Sequence, residues 1–171
     1  MIETVFGSRK DKQMIDKPTE ESGSPLATWI GQQCTGVDRH EYSWGFGFGN
    51  AGGLNVQCPW RIIADARIAV AGTDDGQQFG LPEPLDAGAR ARALLLGKQV
   101  TNVRIDPVSA DLHVVFGENA VLELFNNSSG YEGWLAVAVR NGKNLNVIAQ
   151  GGGAIAMFEE PERPKPRFTI V

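Results

Sequence analysis

The chain has 171 residues, 42% of them hydrophobic and 21% charged, which is the balance of an ordinary globular domain able to bury a core without staples. A net charge of −4 excludes a general binder of the nucleic-acid backbone, which carries a basic face. It suits an acidic surface patch that meets a basic partner.

Residues 1–25 are polar and mixed in charge and read as a flexible lead-in, with 1–6 a candidate edge strand. No apolar signal core stands in this stretch, and no run nears the roughly 20 apolar residues that cross a bilayer. The expected location is therefore the cytoplasm, with no membrane contact.

A single domain is expected over 26–158, and it repeats itself. Residues 30–37 read against 96–103, so that Ile30-Gly31 falls on Leu96-Gly97 and Gln33 on Gln99. Residues 44–49 read against 112–117, Leu54-Asn55-Val56 against Leu122-Glu123-Leu124, and Trp60 loosely against Trp134. Unit one is taken as 29–82 and unit two as 96–158. Their spacing of 66 to 68 positions exceeds the roughly 20–50 of solenoids, so the copies are half-domains and not array members.

Within unit one, Trp44, Phe46 and Phe48 alternate with Gly45 and Gly47, and in unit two Leu112, Val114 and Phe116 alternate with His113 and Val115. Period two in both copies is a strand signal, and it fixes the face that meets the core. Hairpin loops at 49–53 and 117–120 lead to return strands at 54–57 and 121–125. Further strands are expected at 61–71, 134–139 and 145–149. The bare outer side of Gly45 and Gly47 invites a covering element, the helix or a terminal arm, or else marks a bend.

One helix links the units over 85–96. Asp86 caps it, 87–96 is rich in Ala, Arg and Leu, and Gly97 stops it. Leu85, Ala89, Arg92, Ala93 and Leu96 fall near one face, with Arg92 breaking the stripe. Residues 159–171 are proline-rich, so they are expected as an extended tail, with 168–171 a candidate edge strand. The fold class is mainly β with one helix: two repeated antiparallel units packed as a sandwich or a partly closed barrel.

No phosphate loop, nucleophile elbow or zinc-protease motif is present, and no catalytic residue, metal ligand or cofactor is assigned. Cys34, in the repeat position of Val100, reads as a small buried hydrophobe. A Cys34–Cys58 bridge stays open for an exported chain. His113 sits on the strand face opposite the core. Asp74-Asp75-Gly76 reads as a hairpin turn, since Asp-Gly suits the left-handed conformation such turns need. Arg90, Arg92, Lys98 and Arg104 read as a solvated basic stretch around the helix end.

The landmarks Trp29-Ile30-Gly31, Phe48 and Pro59-Trp60-Arg61-Ile62, then Leu95-Leu96-Gly97, Asp111-Leu112, Phe116 and Glu132-Gly133-Trp134, resemble a group of small bacterial duplicated β-domain proteins. That resemblance covers 29–158 and brings no catalytic residues. By analogy it implies a toxin-immunity type of protein, one that neutralises a cognate toxin domain by direct binding. The expected partner surface uses Asp74, Asp75, Glu118 and Glu132, with Trp60 or Tyr131 as anchor. The alternatives are a self-assembling accessory module, a ligand binder using the space between the halves, and, last, an enzyme built on Cys34 or His113.

Overall fold

The computed structural model describes residues 23–161; the strands expected at 1–6 and 168–171 lie outside them. Two hairpins show how the chain turns. Asn141 (φ 49°) and Gly142 (φ 72°) are both left-handed, which matches the twist of the strands they join, β9 (Trp134–Arg140) and β10 (Lys143–Ala149). Asp65 (φ 50°) and Ala66 (φ 60°) do the same between β4 (Trp60–Ala64) and β5 (Arg67–Ala71). The single strand expected over 61–71 is therefore two. An Asp-Ala turn carries no glycine to announce it.

The remaining strands are β1 (Gly36–Arg39), β2 (Trp44–Gly47), β3 (Gly52–Val56), β6 (Val100–Ile105), β7 (Leu112–Phe116), β8 (Ala120–Leu124) and β11 (Ile155–Pro161). They form a six-stranded sheet in the order β1-β2-β3-β9-β10-β11 and a five-stranded sheet in the order β5-β4-β8-β7-β6. Every pairing is antiparallel, and the sheets stack as a sandwich that does not close into a barrel. β11 runs through Glu159 and Glu160, so the domain extends beyond 158. As an edge strand it tolerates Pro161, which has no N–H to donate.

The repeat is realised strand by strand. Val37 pairs with Phe46 as Val103 pairs with Val114, and Phe46 pairs with Leu54 as Val114 pairs with Leu122. The halves, however, are not one sheet each. β3 of unit one pairs with β9 of unit two, and β8 of unit two pairs with β4 of unit one. Each unit thus lends its second hairpin to the other's sheet. The two units meet about an internal two-fold axis at Gln33 and Gln99, which bridge each other. Cys34 N donates to Lys98 O (3.0 Å) as Val100 N donates to Gln32 O (2.8 Å). Gly31 N donates to Val100 O (2.8 Å) as Gly97 N donates to Cys34 O (2.9 Å).

Between the sheets lies one core, built from the inward positions of β2, β3, β4, β7, β8, β9 and β10. Phe48 and Phe116, equivalent in the repeat, pack against each other at 6.1 Å, and Trp29 lies on Phe48 at 4.5 Å. Side chains from both halves thus meet in the space that the ligand-binding alternative would use. The helix α1 (Ala87–Leu95) buries Ala87, Gly88, Ala91 and Leu95, a stripe rotated from the expected one. Ala89, Ala93 and Leu96 are exposed, and Arg92 Nη1 donates to the edge carbonyl Val37 O (2.9 Å), tying α1 to β1. Among the described residues, the side chains nearest Gly45 and Gly47 come from β1 and its flanks and not from the helix; the terminal arms lie outside the described residues. A Cβ on Gly45 would meet His40 Nε2 at 3.3 Å, and one on Gly47 would meet Thr35 Oγ1 at 3.2 Å.

Candidate protein-binding surface

Strand direction sorts the connections into two ends. The turns at 48–51, 65–66, 117–119 and 141–142 are tight and share one end of the sandwich. The connections at 40–43, 57–59, 72–86, 106–111, 125–133 and 150–154 leave from the other, which holds the long loops 72–86, 106–111, 125–133 and 150–154 and is the end where loops carry binding residues on a fixed frame.

Hydrogen bonds lock three of these loops together. Asp106 Oδ1 accepts from Val108 N and Ser109 N, both at 2.9 Å. Those donors, that of Ser109 first, hold its carboxyl below the usual range. Buried Asn126 donates through Nδ2 to Ser109 O (2.9 Å) and Gln150 O (3.0 Å), and its N–H donates to Asp111 Oδ1 (2.7 Å). Trp134 Nε1 donates to Ala110 O at 2.9 Å from beneath. Gly152 N donates to Ser128 O (2.8 Å), and Ser128 Oγ accepts from Tyr131 N (3.0 Å). Gly153 (φ 81°) backs directly onto Val108 O, leaving no room for a side chain.

At this end four large apolar or aromatic side chains stand almost wholly in solvent: Val108 (81%) and Tyr131 (81%) on the locked loops, Tyr42 (82%) on 40–43 and Phe79 (102%) on 72–86. Glu132 is exposed beside Tyr131. Asp75, also exposed, accepts from Ala87 N (3.0 Å) at the start of α1 and pairs with Arg39 at 3.6 Å. Asp74 Oδ2 accepts from Ala71 N (2.9 Å) within a 3-10 turn at Gly72–Asp74, where a strand-to-strand hairpin was expected.

Four of the six residues expected in a partner surface, Asp74, Asp75, Tyr131 and Glu132, thus share the loop end. Glu118 is exposed in the β7–β8 turn at the opposite end. Trp60 cannot anchor a partner. It is 2% exposed and meets Trp44 (5.0 Å) and Phe46 (5.4 Å) edge-on inside the core. Residue pattern alone missed Tyr42 and Val108. The signal for Tyr42 was an aromatic in a polar turn, His40-Glu41-Tyr42-Ser43.

The thiols are buried and free. Burial pushes the Cys34 thiol up and raises Cys58 to about 12, which opposes the thiolate a nucleophile needs. His113 does face away from the core, in a cross-strand row where Glu123 Oε1 stands 3.6 Å from its Nδ1 and Glu123 Oε2 stands 2.6 Å from Arg61 Nε. Among the described residues no three His, Cys, Asp or Glu gather as metal ligands. No described helix is long and apolar enough to cross a membrane.

The fold and this surface define a duplicated two-sheet β-sandwich with a preorganised loop end. No family model, curated protein or solved structure matches the chain.

Proposed function

We propose that this chain is a non-enzymatic binding protein that grips a protein partner with its loop end, and that it serves in the bacterial cytoplasm as the immunity partner of a toxin. One observation carries the binding reading: Tyr42, Val108 and Tyr131, each more than 80% exposed, share one end of the sandwich, Val108 and Tyr131 on loops that hydrogen bonds lock together. Rigid aromatic side chains surrounded by polar groups are what interface hot spots are made of, and a locked backbone lowers the ordering cost of binding. Asp75 and Glu132 at the same end favour a basic partner, such as a nuclease toxin, whose approach they would steer.

The test is co-purification from the native host with the wild-type chain and with Tyr42→Ala/Val108→Ser/Tyr131→Ala. These side chains are exposed, so the triple variant keeps the wild-type melting temperature. The expected result is a stoichiometric toxin domain on the wild-type chain, lost from the variant at a cost of roughly 2 kcal/mol per tyrosine. The purified chain should also block that domain's activity. A partner that stays bound to the triple variant overturns the loop-end site, and a partner whose activity is untouched overturns the immunity role.

A further inference from the structure

Away from the loop end, an open groove of about 460 Å³ runs between α1 and the edge strand β5. Its floor is apolar, made by Ile68, Ala69, Ala93 and Leu94, and Ile68 is 57% exposed. Two guanidinium groups flank it, Arg67 from the strand and Arg90 from the helix. Both residues are exposed, and neither forms an ion pair among the described residues, although Arg39, Arg61, Arg92 and Arg104 all do. In a chain of net charge −4, two unpaired arginines across one apolar trough are a local excess of positive charge.

We infer that this groove docks an extended acidic segment of a protein partner, its carboxylates on Arg67 and Arg90 and an apolar side chain between them on Ile68 and Leu94. Charge complementarity argues for the acidic character, since a guanidinium recognises a carboxylate with paired donors. The strand argues for the extended form. Among the described residues β5 is the outermost strand of its sheet and pairs with β4 alone, so an added chain can lie along it. The volume lies within the range that encloses a few side chains.

The experiment is selection of a displayed library of linear dodecapeptides on the full chain, followed by fluorescence anisotropy of the winners as synthetic peptides. The expected winners place acidic residues on either side of an aliphatic one. They should weaken on the order of tenfold for each of Arg67→Glu and Arg90→Glu, and weaken further with added salt. Both arginines are exposed, so the variants should melt with the wild type, and Arg67→Lys should recover part of the binding. The loop-end triple variant should bind the same peptides unchanged, which separates this groove from the proposed partner site. Winners without acidic residues, winners indifferent to both charge reversals, or a library with no enrichment would each overturn the inference.

Discussion

If each sheet is built from both halves, cutting the chain between them should not separate them. The linker offers the place: Phe79 is fully exposed (102%), and Gly80 follows it with φ 73°. A specific protease site inserted between these two residues divides the chain into one fragment holding β1–β5 and one holding α1 and β6–β11. Pulling the fragments apart strips the exchanged hairpins of Trp60, Ile62 and Val70 from one sheet and of Trp134, Leu145 and Val147 from the other. At roughly 2 kcal/mol per large apolar side chain, these six alone stand for about 12 kcal/mol. Phe46, Phe48, Leu54 and Val56 would also lose the cover of Leu112, Val114, Phe116 and Leu122, on the order of 16 kcal/mol more. The association cost of about 4–15 kcal/mol is smaller than this sum. The nicked protein should therefore elute from a sizing column at the intact position, while a denaturing gel shows two fragments. Its melting temperature should become concentration-dependent, which that of the uncut chain is not. Fragments that elute apart in native buffer, each with its own fold, would refute the exchanged arrangement.

Three further perturbations test separate parts of the structure. Gly153→Ala should cost well over 2 kcal/mol, because a Cβ there collides with Val108 O. Gly117→Ala, equally left-handed (φ 57°) with nothing within 4 Å, should cost about 1 kcal/mol, and equal losses by denaturant titration would refute the close approach. Glu123→Gln should destabilise by about 1 kcal/mol, less at high salt, since Arg61 is 37% exposed. A double-mutant cycle with Arg61→Met that shows no coupling would refute the 2.6 Å pair. Because Cys58 is raised to about 12, the folded state keeps a proton that the unfolded state releases near pH 9. Stability should then be whole below that pH and fall as pH rises toward 12, and both thiols should resist a thiol reagent at pH 8 until guanidinium is added. Rapid labelling of the folded chain would contradict their burial.

The sequence disclosed the duplication because duplication preserves hydrophobic spacing, and spacing is what strands show. The strands around Phe46 and Val114 could be read directly from the alternation, and the loops after them announced the return strands that hold Leu54 and Leu122. The exchange of hairpins could not. Period two states which face of a strand is buried and is silent about which neighbour completes the ladder. The stripe of α1 was misplaced for a related reason: Ala, Gly and Arg carry too little apolar contrast, and Arg92 serves β1 through its guanidinium. Among surface residues, acidic side chains could be named as candidates, but only the strand directions put Asp74, Asp75, Tyr131 and Glu132 at one end and Glu118 at the other. Trp60 illustrates the converse error. A large aromatic at a strand start reads as an anchor from sequence, yet its repeat mate Trp134 is buried too, and symmetry assigns both to the core.

The departures from that symmetry are where the two halves have diverged. Val56 and Leu124 are 68 positions apart, whereas Trp60 and Trp134 are 74 apart, so six extra residues stand between β8 and β9. Those residues enlarge the 125–133 loop that carries Tyr131 and Glu132. They are held by Asn126 and Ser128, which have no counterparts in the three-residue connection at 57–59. An added loop raises the entropy of the unfolded chain and must be ordered at a cost of roughly 1–2 kcal/mol per residue, so a domain stabilised only for its own sake has no use for it. Here the loop is ordered by side-chain hydrogen bonds and still leaves its aromatic in solvent. That combination of fixed backbone and unburied apolar surface is the physical reason to look for the partner at this end of the sandwich.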